Sequence, residues 1–324
     1  MNLKKLIRNF KRGMHERRSA QYDSPLASPT AREEQLIAEF RERLRELTNQ
    51  QSTAPSGSTE QWSDNVARFT TLVLESDPRE FLRWDVIRRA MTVVDAPYVT
   101  PELKHLRNTP EWKTRWQSAL REVSMGHPIP HWQYPESSGT LIHHAYHWAT
   151  FEEMVKMPLD KVKCIFEFGG GYGGMCRLFH NLGYRQRYIM FDLPAFSALQ
   201  QFFLKAIDLP VASAATFGDA ENSILCASQL EQLEDVVAEH VESESALFVA
   251  TWSLSESPLE LRAKVLPLIS SFNGFLVAYQ NQFANIDNVD FFSTWSTDHQ
   301  DVEWHDWQNK HIRNSRYLMG KRVG

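Results

Sequence analysis

Residues 167–174 read Glu167-Phe168-Gly169-Gly170-Gly171-Tyr172-Gly173-Gly174, and this run decides the fold. It follows a short apolar stretch, KCIFEF at 163–168, and precedes a helix-like segment that begins near Met175. Glycines at this place let the backbone turn sharply and come close to a ligand. The helix that follows presents free N–H groups and the positive end of its dipole. Nineteen residues past Gly173, at the end of a second apolar stretch (RYIMFD, 187–192), stands Asp192. A carboxylate there can accept both hydroxyls of a ribose.

Working outward, strand-like and helix-like segments alternate. Residues 196–207 have helical spacing, 210–217 form a weaker strand candidate, and 229–241 are again helical. The runs ALFVATW (246–252) and GFLVAYQ (274–280) read as buried strands, with a helix between them at 259–269. Residues 301–307 and 316–320 suggest a late strand pair. Alternation of this kind predicts a mainly parallel sheet covered by helices on both faces.

The chain ahead of residue 158 has a different character. From 61 to 157 apolar residues fall at helical spacing, interrupted by prolines, which predicts short helices and loops instead of a sheet. Before it lie a Ser- and Pro-containing linker (19–31), a charged helix (about 33–47) and a polar connector (49–60). The division expected is therefore 1–60 as tail, helix and connector, 61–157 as a helical region contributing to an acceptor site, and 158–324 as the ligand-binding domain.

Composition excludes several classes. The 324 residues carry a net charge of −5, which argues against a dedicated nucleic-acid binder. No stretch approaches the roughly 20 apolar residues of a membrane span. Cys164, Cys176 and Cys226 form no CxxC pair and read as reduced core residues, pointing to a cytoplasmic protein. Residues 1–18 hold seven Lys or Arg and one Glu, with apolar residues at helical spacing. That is the pattern of a helix lying on an anionic membrane, so peripheral membrane association through 1–18 is an expectation. Aromatic residues make up 12%, ten of them Trp.

Two readings of the glycine loop compete. Gly169, Gly171 and Gly174 fit GxGxxG, the dinucleotide pattern, with Asp192 as its ribose acid. Glu167, Gly169, Gly171 and Gly173 equally fit ExGxGxG, the first motif of class I S-adenosylmethionine-dependent methyltransferases. The acid two residues before the first glycine, the bulky Tyr172, the helical region before the loop and the late strand pair favour the second. The sequences FEFGGGYGGMCRLF and RYIMFDLPAFSALQ resemble the sugar O-methyltransferase family of bacterial polysaccharide gene clusters. The tail HIRNSRYLMG (311–320) is similar to that family's closing strand, and the likeness spans about 140–324.

The resemblance implies an α/β fold: a Rossmann-like class I methyltransferase sheet, mainly parallel with an antiparallel last strand, behind a helical N-terminal region. It implies S-adenosyl-L-methionine as cofactor and a sugar, nucleotide-sugar or lipid-linked glycan as acceptor. The loop Gly169, Gly170, Gly171, Tyr172 and Gly173 would hold the methionine part, with Glu167 supporting it. Asp192 would hold the ribose, with Leu193 near the adenine. Gly218-Asp219 resembles a glycine–aspartate pair that approaches adenine in related enzymes. Trp252 sits on the motif that follows the fourth strand.

Methylating an aliphatic hydroxyl benefits from a general base. Trp252-Ser253-Leu254-Ser255-Glu256 occupies the place where plant-type O-methyltransferases carry W-x-L-H-D, so Ser255 replaces the usual His. Glu256 is then one base candidate. The others are His143, His144 and His147, where a helix would put His144 and His147 on one face. HHAYH lacks metal-ligand spacing, so no metal is expected. Alternative functions are an O-methyltransferase of a phenol or polyketide, and a cofactor-binding module that has lost catalysis.

Overall fold

The computed structural model describes residues 17–50, 60–94 and 96–323. The basic segment 1–16 and most of the connector, 51–59, lie outside the described residues. The longer helices that lead the described chain are α1 (Ala31–Gln50), α2 (Glu60–Glu75), α3 (Asp85–Ala90), α4 (Val99–Asn108) and α5 (Gly139–Val155). A small antiparallel hairpin, Pro130–His131 with Tyr134–Ser138, interrupts this helical region, where the sequence predicts short helices and loops. Then come β1 (Cys164–Phe168), α6 (Gly174–Asn181), β2 (Arg187–Phe191), α7 (Pro194–Ala206), β3 (Val211–Ala212), β4 (Ile224–Ala227) and α8 (Leu230–His240). The remainder is β5 (Ala246–Thr251), α9 (Ser253–Glu256), α10 (Leu259–Ile269), β6 (Gly274–Gln280), α11 (Asn288–Asp298), β7 (Val302–Gln308) and β8 (Ser315–Arg322).

One eight-stranded sheet has the order β7-β8-β6-β5-β1-β2-β4-β3. All pairings from β3 to β6 are parallel, and β8 runs antiparallel between β6 and β7. This is a Rossmann-like sheet, mainly parallel, with an antiparallel strand inserted at the closing edge, as the sequence predicts. The expected strand at 210–217 shrinks to Val211–Ala212, and the long-range partner of β2 is instead ILCA at 224–227.

The sheet divides the core in two because side chains alternate along each strand. Ile165, Tyr188 and Val249 face a cluster shared with α1, α2, α4, α5, α6 and α7. Phe166, Ile189 and Phe248 face a second cluster with α8, α10 and α11. Every residue of β1 is buried, as expected of a parallel strand covered on both sides.

The N-terminal helices belong to this core. On α1 only Ile37, Phe40 and Leu44 are buried, one stripe at three- and four-residue steps. Phe40 stacks on Phe202 of α7, ring centroids 4.8 Å apart and 11° from parallel. The linker at 19–31 is tied down as well: Arg83 pairs with Asp23, and Arg79 donates to the Ala27 carbonyl. Helix α5 is buried nearly all round, capped by Ser138, whose Oγ accepts from Leu141 N at 3.1 Å. No helix among the described residues is long and apolar enough to cross a membrane.

If α1 is an integral layer, Phe40→Ala should lower unfolding free energy by about 3–5 kcal/mol, the usual cost of deleting a buried ring. Urea denaturation followed by circular dichroism measures it; an unchanged midpoint would show that α1 is dispensable to the core.

Candidate active site

Parallel pairing sets Phe168 opposite Phe191 and Glu167 opposite Val249, so the carboxyl ends of β1, β2 and β5 lie side by side. In open α/β sheets this edge is where ligands bind. The glycine loop turns there. Gly169 has φ +72°, and its N–H donates to the Phe191 carbonyl at 2.8 Å. A Cβ on Gly169 would lie 2.2 Å from the Ser253 Cβ, while the Ser253 hydroxyl donates to the Phe168 carbonyl. The loop and the turn after β5 therefore touch through a residue that has to be glycine. Gly171 also has positive φ (+57°), but a Cβ there would meet nothing closer than Met91 at 3.7 Å.

Two carboxylates flank the loop, and one of them binds it. Asp192 accepts from Gly171 N at 3.0 Å, Leu193 N at 2.8 Å and Gln200 Nε2 at 3.1 Å. Glu167 is 3% exposed and accepts from the Tyr188 hydroxyl at 2.7 Å. Burial pushes both carboxyls up to about 7, against the hydrogen bonds that favour the charged forms.

A cavity of about 920 Å³ opens at this edge. Toward β2 and β4 it is lined by the loop residues Gly169 to Tyr172, by Asp192 and Leu193, and by Ser228 and Gln229 after β4. Toward β5 it is lined by Trp252, Glu256, His143, His144 and Tyr98. Leu47, Gln50 and Trp62 bring α1 and α2 to its wall.

The three histidines of α5 part company. His143 and His147, four residues apart, share a face, with rings 4.1 Å apart. This corrects the expected pairing of His144 with His147. His147 is fully buried, does not line the cavity, and its Nδ1 meets the Tyr317 hydroxyl at 2.6 Å. Burial first, then His143 and His144, hold it well below the usual histidine range. His144 turns toward the loop helix, where burial, together with His143, lowers it to about 3 despite a hydrogen bond with the Gly174 backbone. A ring that weakly basic cannot collect a proton near neutrality.

His143 is placed differently. Its Nδ1 lies 2.9 Å from both carboxylate oxygens of Glu102 on α4, and both residues are buried. Its Nε2 is buried and has no hydrogen-bond partner among the described residues. The ring stacks on Trp252 at 5.2 Å and 24°, and Tyr98 flanks it at 5.2 Å. Trp252 takes a left-handed backbone (φ +66°), and its N–H donates to the Ala278 carbonyl at 2.7 Å. Non-glycine residues adopt that conformation only where the surroundings impose it.

Glu256 also borders the cavity. Gln280 Nε2 donates to its Oε1 at 3.1 Å, and burial raises its carboxyl above the ordinary range. Its short helix α9 is anchored from below: buried Arg262 donates to the Ser255 and Ser257 carbonyls and to Asn288 Oδ1. Ser255 is fully buried and its hydroxyl donates to the Trp252 carbonyl, so it cannot stand in for a base facing the cavity.

Two expected ligand residues lie elsewhere. Asp219 is exposed at the end of a 3-10 turn and does not line the cavity; the polar groups past the third long strand are Ser228 and Gln229. Gly173 does not line the cavity either. Its N–H closes the loop onto the Gly170 carbonyl at 2.9 Å, and with φ +92° it starts α6. Glu102 and Tyr98, absent from the sequence reading, sit 41 and 45 residues before His143 with no spacing rule to link them. Among the described residues no group of three or more His, Cys, Asp or Glu could hold a metal ion.

No family model matches the chain, and no curated protein matches it. Solved structures of similar shape include a precorrin-6y C5,15-methyltransferase from Geobacter metallireducens GS-15, 13% identical, covering 51% of this chain and 85% of that one, with a TM-score of 0.33. Another is the N-terminal domain of human METTL16 in complex with SAH, 9% identical, covering 56% and 70%, TM-score 0.37. A third is magnesium protoporphyrin IX methyltransferase from Synechocystis PCC 6803 with bound SAH, 8% identical, covering 70% and 95%, TM-score 0.35. With likeness this thin, the strand order of the chain itself carries the fold assignment.

The raised carboxyls give a pH signature. Folded Asp192 and Glu167 hold protons up to about 7, whereas in the unfolded chain such groups release them near 4. Their stabilising contribution is complete below about pH 4 and is lost as pH rises through about 7. The melting temperature should therefore fall between pH 5 and pH 8 by a margin that Asp192→Asn reduces. A variant with the same pH slope as wild type would show that Asp192 does not titrate there.

Proposed function

We propose that this protein is an S-adenosylmethionine-dependent methyltransferase that methylates a hydroxyl of a sugar or glycan, with His143 as general base. The observation that carries the reading is one cavity lined both by the glycine loop with Asp192 and by His143, whose Nδ1 is engaged by Glu102.

The residues at the β1–β2 end suit such a cofactor. The space that a side chain on Gly171 would enter belongs to the cavity, and the loop approaches with bare backbone. Asp192 stands at the end of β2, where a carboxylate can take ribose hydroxyls. Leu193, Ser228 and Gln229 would border the base, and Glu167 keeps the loop in place from beneath. When bound, S-adenosylmethionine supplies a methyl group on a positively charged sulfur, which takes up the bonding pair as the methyl leaves.

The chain's own part is to bind, orient and exclude water. Trp252 and Tyr98 give the acceptor end aromatic surfaces, suited to the apolar face of a sugar ring. His143 can take the hydroxyl proton on Nε2, since Glu102 already engages Nδ1. Glu256, held by Gln280, is placed to accept a neighbouring hydroxyl and orient the ring.

Calorimetry with SAH tests the cofactor half. Asp192→Ala should weaken binding at least about tenfold, equivalent to about 1.4 kcal/mol, and Gly171→Val should abolish it by filling the approach. Labelled S-adenosylmethionine offered with a panel of nucleotide sugars and cell-surface glycans tests the reaction. Methylated glycan should form, and His143→Gln should lower turnover by about 10²–10⁴-fold. Loss with Glu256→Gln but not with His143→Gln would move the base to Glu256. Product on phenols alone would overturn the sugar acceptor.

A further inference from the structure

We propose that Glu102 is a positioning residue that fixes the tautomer of His143, leaving Nε2 as the basic nitrogen of a ring that lines the cavity. This rests on the reading of His143 as the base, and it adds a residue that no motif marks.

Glu102 is an acid buried to 0% exposure in the first turn of α4. An ionised carboxylate can only accept hydrogen bonds. With both oxygens 2.9 Å from Nδ1, the proton of neutral His143 is held on Nδ1, and the lone pair is left on Nε2. A buried carboxylate needs a partner, and His143 Nδ1 supplies its hydrogen bond. The two residues consequently act as one unit across α4 and α5.

The walls of this unit are aromatic and uncharged. Trp252 stacks on one side of His143, and Tyr98 and His147 flank it. His147 is kept neutral by burial and by its histidine neighbours, so it does not oppose a positive charge on His143. In the methyl-transfer step the acceptor O–H bond breaks and its proton passes to His143 Nε2. With S-adenosylmethionine bound, the oxygen pair would form the new O–C bond while the S–C pair stayed with sulfur. The imidazolium left behind faces Glu102, whose carboxylate balances it until the proton returns to water. Such a partner matters most for an aliphatic hydroxyl, which gives up its proton far less readily than a phenol.

The test is long-range ¹H–¹⁵N spectroscopy of the histidine rings in the full chain at neutral pH. The ring signals lost in His143→Gln assign His143. In wild type, Nδ1 should carry the proton and Nε2 should not. Glu102→Leu should switch His143 to the Nε2-protonated form or to a mixture, and Glu102→Asp should retain the wild-type tautomer at least in part. A wild-type His143 protonated on Nε2, or a tautomer unchanged in Glu102→Leu, would overturn the proposal. Glu102→Met, similar in length and without an oxygen acceptor, provides a second variant should Glu102→Leu fail to fold; an unchanged tautomer there would overturn it equally. SAH calorimetry on the wild type separates the two ideas: failure to bind SAH would sink the methyltransferase reading, whereas the spectra judge Glu102 independently.

Discussion

The parallel register between β1, β2 and β5 is the constraint on which the rest depends. It brings three strand ends level, so that a glycine loop, an aspartate and a tryptophan from distant stretches meet at one edge. Had β5 been shifted along β1, Ser253 would reach neither the Phe168 carbonyl nor the space that a Cβ on Gly169 would fill. Packing on both faces holds the register, since a slip would carry each Phe, Ile and Val into a space shaped for a different side chain.

Around that edge the molecule divides its labour. The sheet side supplies backbone amides and carboxylates suited to a polar ligand. The helical preface supplies α4 and α5, which carry the Glu102–His143 pair. Neither half makes a cavity alone, because α1 and α2 complete the wall over the loop. What reads in sequence as a preface is in three dimensions the other half of the site.

Much of the fold was legible because parallel strands buried on both faces are continuous apolar runs, and ALFVAT and GFLVAYQ are unmistakable in that respect. Asp192 followed from its distance to the loop. The four-residue strand Ile224–Ala227 was missed because it is too short to show a period. Asp219 was misplaced because a Gly-Asp pair is common and its spacing to Asp192 constrains nothing; the chain there makes an exposed 3-10 turn instead. On α5 the histidine content was visible but its phase was not. A helix buried nearly all round has no polar face to orient it, so sequence cannot tell His143 from His144. Glu102 was invisible for a simpler reason: an isolated acid on a helix is ordinarily a solvated one.

The two tryptophans that border the cavity lie at different ends of it, Trp62 on the N-terminal helical pair and Trp252 on the turn after β5. Each is locked to an aromatic neighbour, Phe196 in one case and His143 in the other. Occupancy of the two halves is thereby coupled to two separate indole environments, one quenched or freed beside an imidazole and one beside a hydrocarbon ring. Filling one end of the cavity or the other would thus disturb a different indole among the ten that the chain carries.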